Sequence, residues 1–540
     1  MAEEMDPSIF MKSLRKIIIP VRDEMDKTLN TFDGTFHSDC QKKSVPVLLL
    51  TICSAIINGL DLDNKDIDQS SLSVAQFMMR EYRKRKKSNS IFRRHEKTCE
   101  PPITVYIGLK LYSSVRCKDL IQTLFTIGIC ISYQRVLEIC DSLSLSILEK
   151  YNRDKVFAPS SLMLDLFTII AKDNIDLNAR STKISHHFHG IIMTIMQFPS
   201  SQTDGRYQDT LYDLSMMSSD NKRIEITPEY CQFKELPFET GSALYAPVCT
   251  IDIQQPICNE YRKESLKEVS WMLQVDSQEC FSWSKYHCVT NKSSESLLPG
   301  KNALMPLLRE KVNTLTAQFH CMNLIKKTTN FLNPSQIPVD VSDQPVYALS
   351  KEIQLHYPLV FGTEQYLCMM GDLHLEIELL KIHGEWIKGS GIDILLEQSN
   401  LSTIGTSSIT DVNNNKRARY CLEVCSSVLF RFLTIDHKES GSTLQIMEYL
   451  DEKSKKSQMC FYLKLILELE IHILLFVCSI REGNFNLYLE TLFQSLKYFF
   501  SFDKYNYARW ATVYWFDLAA LEIKCPDLFK RLSDGNFSFQ

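Results

Sequence analysis

The sequence predicts an α/β core set between helical N-terminal and C-terminal regions. Three observations predict it. Apolar runs of strand length, Leu162 to Ala171, His189 to Pro199 and Gln365 to Met370, are confined to the middle of the chain. Helical spacing of apolar residues dominates before about residue 160 and again after Gly389. Acidic residues stand where the runs would end or where the next helix would begin. A chain of 540 residues exceeds what one hydrophobic core holds, so about two to four domains are expected. The expected division is 1–100, 101–160, 161–388 with an insertion at about 200–335, and 389–540.

Charge and cysteine usage narrow the class. A net charge of −5 excludes a polycation, so a nucleic-acid surface has to be a local cluster of Lys and Arg. Eighteen cysteines are spread from Cys40 to Cys525 with no C-x-x-C pair, which fits thiols in a reducing compartment better than a disulfide scaffold. The first residues are acidic and precede only a short Ile run, unlike a signal peptide. Val45 to Leu60 is apolar but falls short of the roughly 20 residues that span a bilayer. Phe461 to Ile480 is long enough, yet it carries Lys464, Glu468, Glu470 and His472, which are costly in lipid. Both are expected to be buried helices, with no membrane partner.

Residues 1 to about 78 show helical spacing, broken at Pro20 and over Asp61 to Ser73. A basic run follows: Arg80, Arg83, Lys84, Arg85, Lys86, Lys87, Arg93, Arg94 and Lys97 against Glu81 and Glu96. It reads equally as a solvated helix face and as a phosphate-binding or nuclear-import patch. After Pro101-Pro102, Cys117 to Thr126 carries an apolar stripe of Leu120, Ile121, Leu124 and Phe125, and Gly128 ends it. Ser132 is placed to cap a second helix with Val136, Ile139 and Leu143 on one face. Helix, glycine turn, helix is the helix-turn-helix outline; Gln134 and Arg135, near the start of the second helix, are the side chains expected to meet DNA if it binds DNA at all.

The period then changes. Leu162 to Ala171 reads as a buried strand delivering Asp173 at its end, and His189 to Pro199 as a second strand. Residues 200–335 are mixed and polar, with helical stretches near 260–274 and 303–326. Gln336 to Val341 is a short strand ending near Asp343, Pro345 to Leu355 a helix with proline at its start, Gln365 to Met370 a strand, and Leu373 to Lys388 a helix containing Glu376. From there to Gln540 helical runs dominate. Strand, acid, helix, strand, helix with acid is the second half of a ribonuclease H-like mixed sheet.

Three carboxylates so placed suit phosphodiester chemistry. Two divalent ions about 4 Å apart neutralise the transition state and activate the oxygen nucleophile, and carboxylates are their natural ligands. Asp173, Asp343 and Glu376 are the expected set, with Mg²⁺ or Mn²⁺ as the ions. Each has a plain alternative: Asp173 with Asn174 and Asp176 a turn, Asp343 a helix cap, Glu376 a surface acid. His186, His187 and His189 invite a zinc reading but are more simply solvated. Cys421 and Cys425 share a helix face, as do His374 and Glu378; core thiols for the first pair and support for the site or capping for the second are the expected roles. No glycine-rich phosphate loop, G-x-S-x-G or H-E-x-x-H occurs.

Several stretches resemble a family of cnidarian, other invertebrate and fish genomes derived from mobile elements and, more distantly, fungal mobile-element proteins: ISYQRVLEI, DNIDLN with HFHGI, DQPVYALSKEIQ, GDLHLEIELLKIHGEWIKGSG, and REGNFNLYLE with FDKYNYARWATVYWFDL. They run collinearly from about residue 100 to the end. The resemblance implies a transposase-like (DDE-type) fold and origin. It places Asp173, Asp343 and Glu376 on acidic positions, with Asp176, Asp372 and His374 auxiliary; Asp372 departs from relatives that often have glycine there. Asn506 to Trp510 has no evident catalytic chemistry and reads as helix packing, with Arg509 in reach of a phosphate. A nuclear protein that binds DNA and forms homo-oligomers is the expectation. The alternatives are a domesticated DNA-binding protein without catalysis and an all-helical interaction protein.

Overall fold

The computed structural model describes residues 7–28, 32, 38–59, 68–86, 100–177, 188–199, 205–208, 228–233, 258–274, 282–290, 300–399, 401 and 415–537. The chain divides into two compact units, Met1–Lys155 with Asp209–Tyr230, and Val156–Gln208 with Cys231–Gln540. The α/β core and the C-terminal helices therefore share one unit.

The first unit is helical among its described residues. Helix Lys118–Thr126, Gly128 at φ +91° and helix Tyr133–Asp154 follow one another as the sequence predicts. Ser132 Oγ accepts the Arg135 N–H at 3.2 Å, which satisfies one open donor of the second helix. Ile121, Val136 and Ile139 are buried in one cluster with Cys130 and Ile131. Leu120, expected on the same stripe, is exposed. The basic run begins inside a fold rather than on its surface. Arg80 is 2% exposed, and its guanidinium donates to the carbonyls of Gly128 and, at 2.9 Å, Cys130. It closes the helix-turn-helix turn and is withdrawn from any phosphate.

The second unit is built on a five-stranded mixed sheet: β1 (Phe167–Leu177), β2 (Phe188–Phe198), β3 (Lys301–Leu304), β4 (Val339–Ser342) and β5 (Leu367–Met370). The spatial order is β3-β2-β1-β4-β5. β1 and β2 pair antiparallel from Phe167 opposite Phe198 to Leu177 opposite Phe188, and β3 adds antiparallel to β2. β4 lies parallel to β1, and β5 parallel to β4. In β1 consecutive residues Thr168, Ile169 and Ile170 are all buried, and β5 is buried throughout. Unbroken apolar runs rather than alternation are what strands covered on both faces require. The strands at these places exclude the all-helical alternative.

The described helices of this unit include α1 (Asn259–Gln274), α2 (Trp283–Thr290), α3 (Leu315–Leu332), α4 (Gln344–His356), α5 (Asp372–Ile387), α6 (Asn415–Ser440), α7 (Gln458–Arg481), α8 (Phe485–Ser501) and α9 (Tyr505–Lys524). α3 and α4 pack on each other and on β4, while α9 packs on α4 and β5. α7, the segment long enough to span a bilayer, is buried from Ile466 to Ser479, Glu468 excepted, with α1, α5, α6 and α8 packed on it. Among the described residues no helix is long and apolar enough to cross a membrane.

Two expectations are corrected here. The first strand does not end before Asp173; it runs on to Leu177, so Asp173, Asn174 and Asp176 are strand residues and not a turn. The insertion at 200–335 is shorter than expected, because Lys301–Leu304 forms the sheet's edge strand and Leu315–Leu332 a helix covering it.

Candidate functional site

The register of the two central parallel strands positions the acids. Ile169 stands opposite Val339 and Ala171 opposite Val341. Two residues further along each strand come Asp173 and Asp343, so the two carboxylates leave the sheet side by side. Asp173 is exposed and accepts the Asn174 N–H at 2.7 Å. Asp343 is half-buried at the N-cap of α4, with φ −65° and ψ 165°, and its Oδ1 accepts the Val346 N–H at 3.3 Å. Burial pushes its carboxyl above the usual range; the Val346 N–H, His374 and Lys172 pull it back, and the charge of Asp173 adds to the rise.

Beneath the pair lies a dry ion pair. Lys172 Nζ is 2.5 Å from Asp340 Oδ2, both side chains fully buried, and donates to Ser350 Oγ at 2.9 Å. It ties β1, β4 and α4 together one layer below the carboxylates.

The loop from β5 into α5 closes the site. Gly371 N–H donates to the Ser342 carbonyl at 2.7 Å, bringing the first turn of α5 against the residue before Asp343. Residues four apart share a helix face, whereas residues two apart diverge by about 200°. His374, which acts on Asp343, therefore shares its face with Glu378, and Asp372 shares the other with Glu376. Glu376 is 4% exposed, and Arg419 of α6 clamps it with Nε to Oε1 at 2.8 Å and Nη2 to Oε2 at 2.6 Å. The structure thus brings Asp173, Asp343 and His374 together and engages Glu376 with a cation of its own.

Asp372 accepts the Tyr488 hydroxyl at 2.6 Å, and Tyr488 in turn meets the Tyr514 hydroxyl at 3.1 Å. Burial pushes its carboxyl from 3.8 up to about 7, against the Tyr488 hydrogen bond and with the charge of Glu376 adding to it. A carboxyl raised in the folded state contributes its full share of stability below the unfolded value and loses it as pH rises through the folded value. Asp372→Asn should therefore gain on the wild type by about 1.4 kcal/mol per pH unit between 3.8 and about 7. Urea unfolding of both proteins across that window checks it; parallel curves would refute the assignment.

The Asn506 to Trp510 motif opens α9 beside these groups. Trp510 stacks edge-on to Tyr347 of α4 with centroids 6.1 Å apart, as a packing role requires. Tyr507 does more. Its phenol is pushed up by burial and then by the charges of Glu378 and Asp343, both of which it feels. Lys504, one turn earlier, lies 3.5 Å from Glu378. Arg509 is exposed. Tyr507 is the site residue that sequence reasoning passed over; Glu378 was already expected beside His374 from their i, i+4 spacing.

Of the expected DNA contacts, Arg135 is corrected. Its Nε lies 3.0 Å from both oxygens of Glu100, itself 2% exposed, and its Nη1 lies 3.1 Å from Glu138. It ties the helix Tyr133–Asp154 to Glu100. Gln134 is exposed beside it. Arg83, Lys84, Arg85 and Lys86 lie on a helix that reaches Lys86, their side chains outside the described set, and Lys87, Arg93 and Arg94 lie outside the described residues. So do His186 and His187, and the side chains of Asp176 and His189.

Two further clusters offer metal-binding atoms, Glu268 with His287 and Cys478, and His383 with Cys425 and Glu470. A protein-family model described as a domain of unknown function (DUF8702) matches residues 443–540. No curated protein and no solved structure matches the chain. The matched stretch contains Cys478, Glu482, Tyr488 and Tyr507, and none of the three carboxylates expected to act.

Proposed function

We propose that this chain is a nuclear, transposon-derived DNA-binding protein whose ribonuclease H-like core cuts or joins DNA with two divalent ions, Mg²⁺ or Mn²⁺. The observation that carries the proposal is that Asp173, within β1, and Asp343, just past the end of the adjacent parallel strand β4, come close enough for the charge of Asp173 to act on Asp343, in a sheet whose order is β3-β2-β1-β4-β5. Those two carboxylates would hold the ions, and hard oxygen ligands suit Mg²⁺ and Mn²⁺. With the ions bound, they would polarise the scissile phosphate and activate the attacking oxygen. The protein's own share is to hold both carboxylates aligned. Lys172, buried one layer below, pulls the Asp343 carboxyl down towards the ionised form, and α4 fixes Asp343 by its cap.

The third carboxylate comes from α5. Glu376 would fill the role if released by Arg419, whose guanidinium engages both of its oxygens. Glu378 is the competitor, because it shares the face of His374. Mn²⁺-dependent nicking of supercoiled DNA separates them: loss in Asp173→Ala and Glu376→Gln with activity kept in Glu378→Gln supports this assignment, and the reverse pattern for the glutamates moves the role to Glu378. One observation favours a second reading, a DNA-binding protein without catalysis: both oxygens of Glu376 are already engaged by the bidentate Arg419 clamp, which a metal would have to share or displace. Equal nicking by wild type and Asp173→Ala would decide for it.

A further inference from the structure

A different part of the second unit carries a site of other chemistry. His287 on α2 faces Cys478 near the end of α7 and Glu482 just beyond it. Its Nδ1 is 3.7 Å from Cys478 Sγ and 3.3 Å from Glu482 Oε1, and the Cys478 thiol and Glu482 carboxylate contact each other. Around a tetrahedral zinc, bonds of about 2.0–2.1 Å to nitrogen and oxygen and about 2.3 Å to sulfur put nitrogen and sulfur roughly 3.6 Å apart and nitrogen and oxygen roughly 3.3 Å apart. Nδ1 already has that spacing to both partners.

The other ring nitrogen is dressed as a zinc ligand's usually is. His287 Nε2 lies 2.9 Å from Glu268 Oε1 on α1, a hydrogen-bond distance, and Glu268 Oε2 is held by the Trp283 indole N–H at 2.8 Å. A carboxylate on the far nitrogen fixes the ring and raises its basicity as a ligand. His287, Cys478 and Glu268 are all buried. The second cluster lacks this spacing: His383 Nε2 meets Glu470 Oε1 at 2.9 Å, a hydrogen bond and not two ligands of one ion.

We propose that His287 Nδ1, Cys478 Sγ and a Glu482 oxygen bind Zn²⁺, with Glu268 as the positioning carboxylate and a water in the fourth position. Thiolate and imidazole select zinc over the hard ions suited to Asp173 and Asp343. Zn²⁺ displaces one proton from Nδ1 and one from the thiol, so the net charge of the pocket is unchanged. The ion pins α2 to α7, with Glu268 anchoring α1 from behind.

The test uses the full chain, purified without a polyhistidine tag, with zinc content measured by mass spectrometry and Co²⁺ as the spectroscopic probe. Stoichiometric zinc and a thiolate-to-cobalt charge-transfer band are expected. The band should vanish in Cys478→Ser and persist in Cys425→Ser. Glu268→Gln should keep the band and weaken zinc binding by about 10- to 100-fold, an effect that loss of packing alone would not give. Should Cys478→Ser fail to fold, Glu482→Gln, at the half-exposed edge of the cluster, is read instead for a shifted ligand-field spectrum. Absence of zinc and of the band in the wild type overturns the proposal, and so does a band that follows Cys425. Neither result bears on the nicking assay, because the Mn²⁺ site contains no sulfur.

Discussion

Lys172→Met should destabilise the α/β unit by about 3–5 kcal/mol, more than any surface change in this protein. The ammonium sits at zero exposure 2.5 Å from an equally buried Asp340, and Met removes the charge while keeping the stem. Asp340 is then an uncompensated carboxylate in the middle of a sheet. Burial already pushes its carboxyl upwards with Lys172 in place, so the variant relieves the charge by holding a proton. The sign follows from linkage. A raised folded value means that the deficit is smallest below the unfolded carboxylate value of about 3.9 and grows as pH rises through the folded value. Lys172→Met combined with Asp340→Leu should recover most of the loss, since a buried ion pair replaced by apolar groups of similar volume is often neutral or better. Urea midpoints for the two single variants and the double variant close the cycle. Additive losses would mean that the pair does not act as one unit.

The central strands were legible because strands buried on both faces write themselves as unbroken Ile, Val, Phe and Met runs, as in Ile169-Ile170 and Leu367 to Met370. Where the run stops was not legible. β1 continues through Asp173, Asn174 and Asp176, residues that locally favour turns, because eleven rungs of pairing with β2 outweigh that preference. The edge strand Lys301–Leu304 escaped for the opposite reason: it is four residues long, has no apolar run, and owes its conformation to β2, more than a hundred residues earlier. The site divides in the same way. Asp343 was placed by a local signal, an acid followed by proline at the start of a helical pattern, and its cap is observed. Glu376 was placed by a local signal too, but its partner Arg419 lies 43 residues on. Arg80 and Arg135 show the same limit for the basic residues. Their charge is visible in the sequence, while the carbonyls of Gly128 and Cys130 and the carboxylate of Glu100 that absorb it are not.

Asp343 separates a structural acid from a metal ligand. Asn caps a helix as well as Asp does, so Asp343→Asn should leave the Val346 N–H satisfied and stability within a few tenths of a kcal/mol of wild type. Asp343→Ala gives up the cap and should cost about 1 kcal/mol. Under the two-ion mechanism the activity effects do not follow the stability effects. Stabilisation of the transition-state charge by the ions would be worth several kcal/mol, at about tenfold in rate per 1.36 kcal/mol, and would be lost when a neutral amide replaces the carboxylate that holds them. Both variants should therefore lose Mn²⁺-dependent nicking by at least about 100-fold, although only one of them is destabilised. In the wild type, nicking should rise with pH through the elevated Asp343 value, because the carboxyl has to shed its proton before it can bind an ion. Full activity in Asp343→Asn with a deficit only in Asp343→Ala would make Asp343 a helix cap, and would leave Asp173 without the neighbour that the two-ion reading requires.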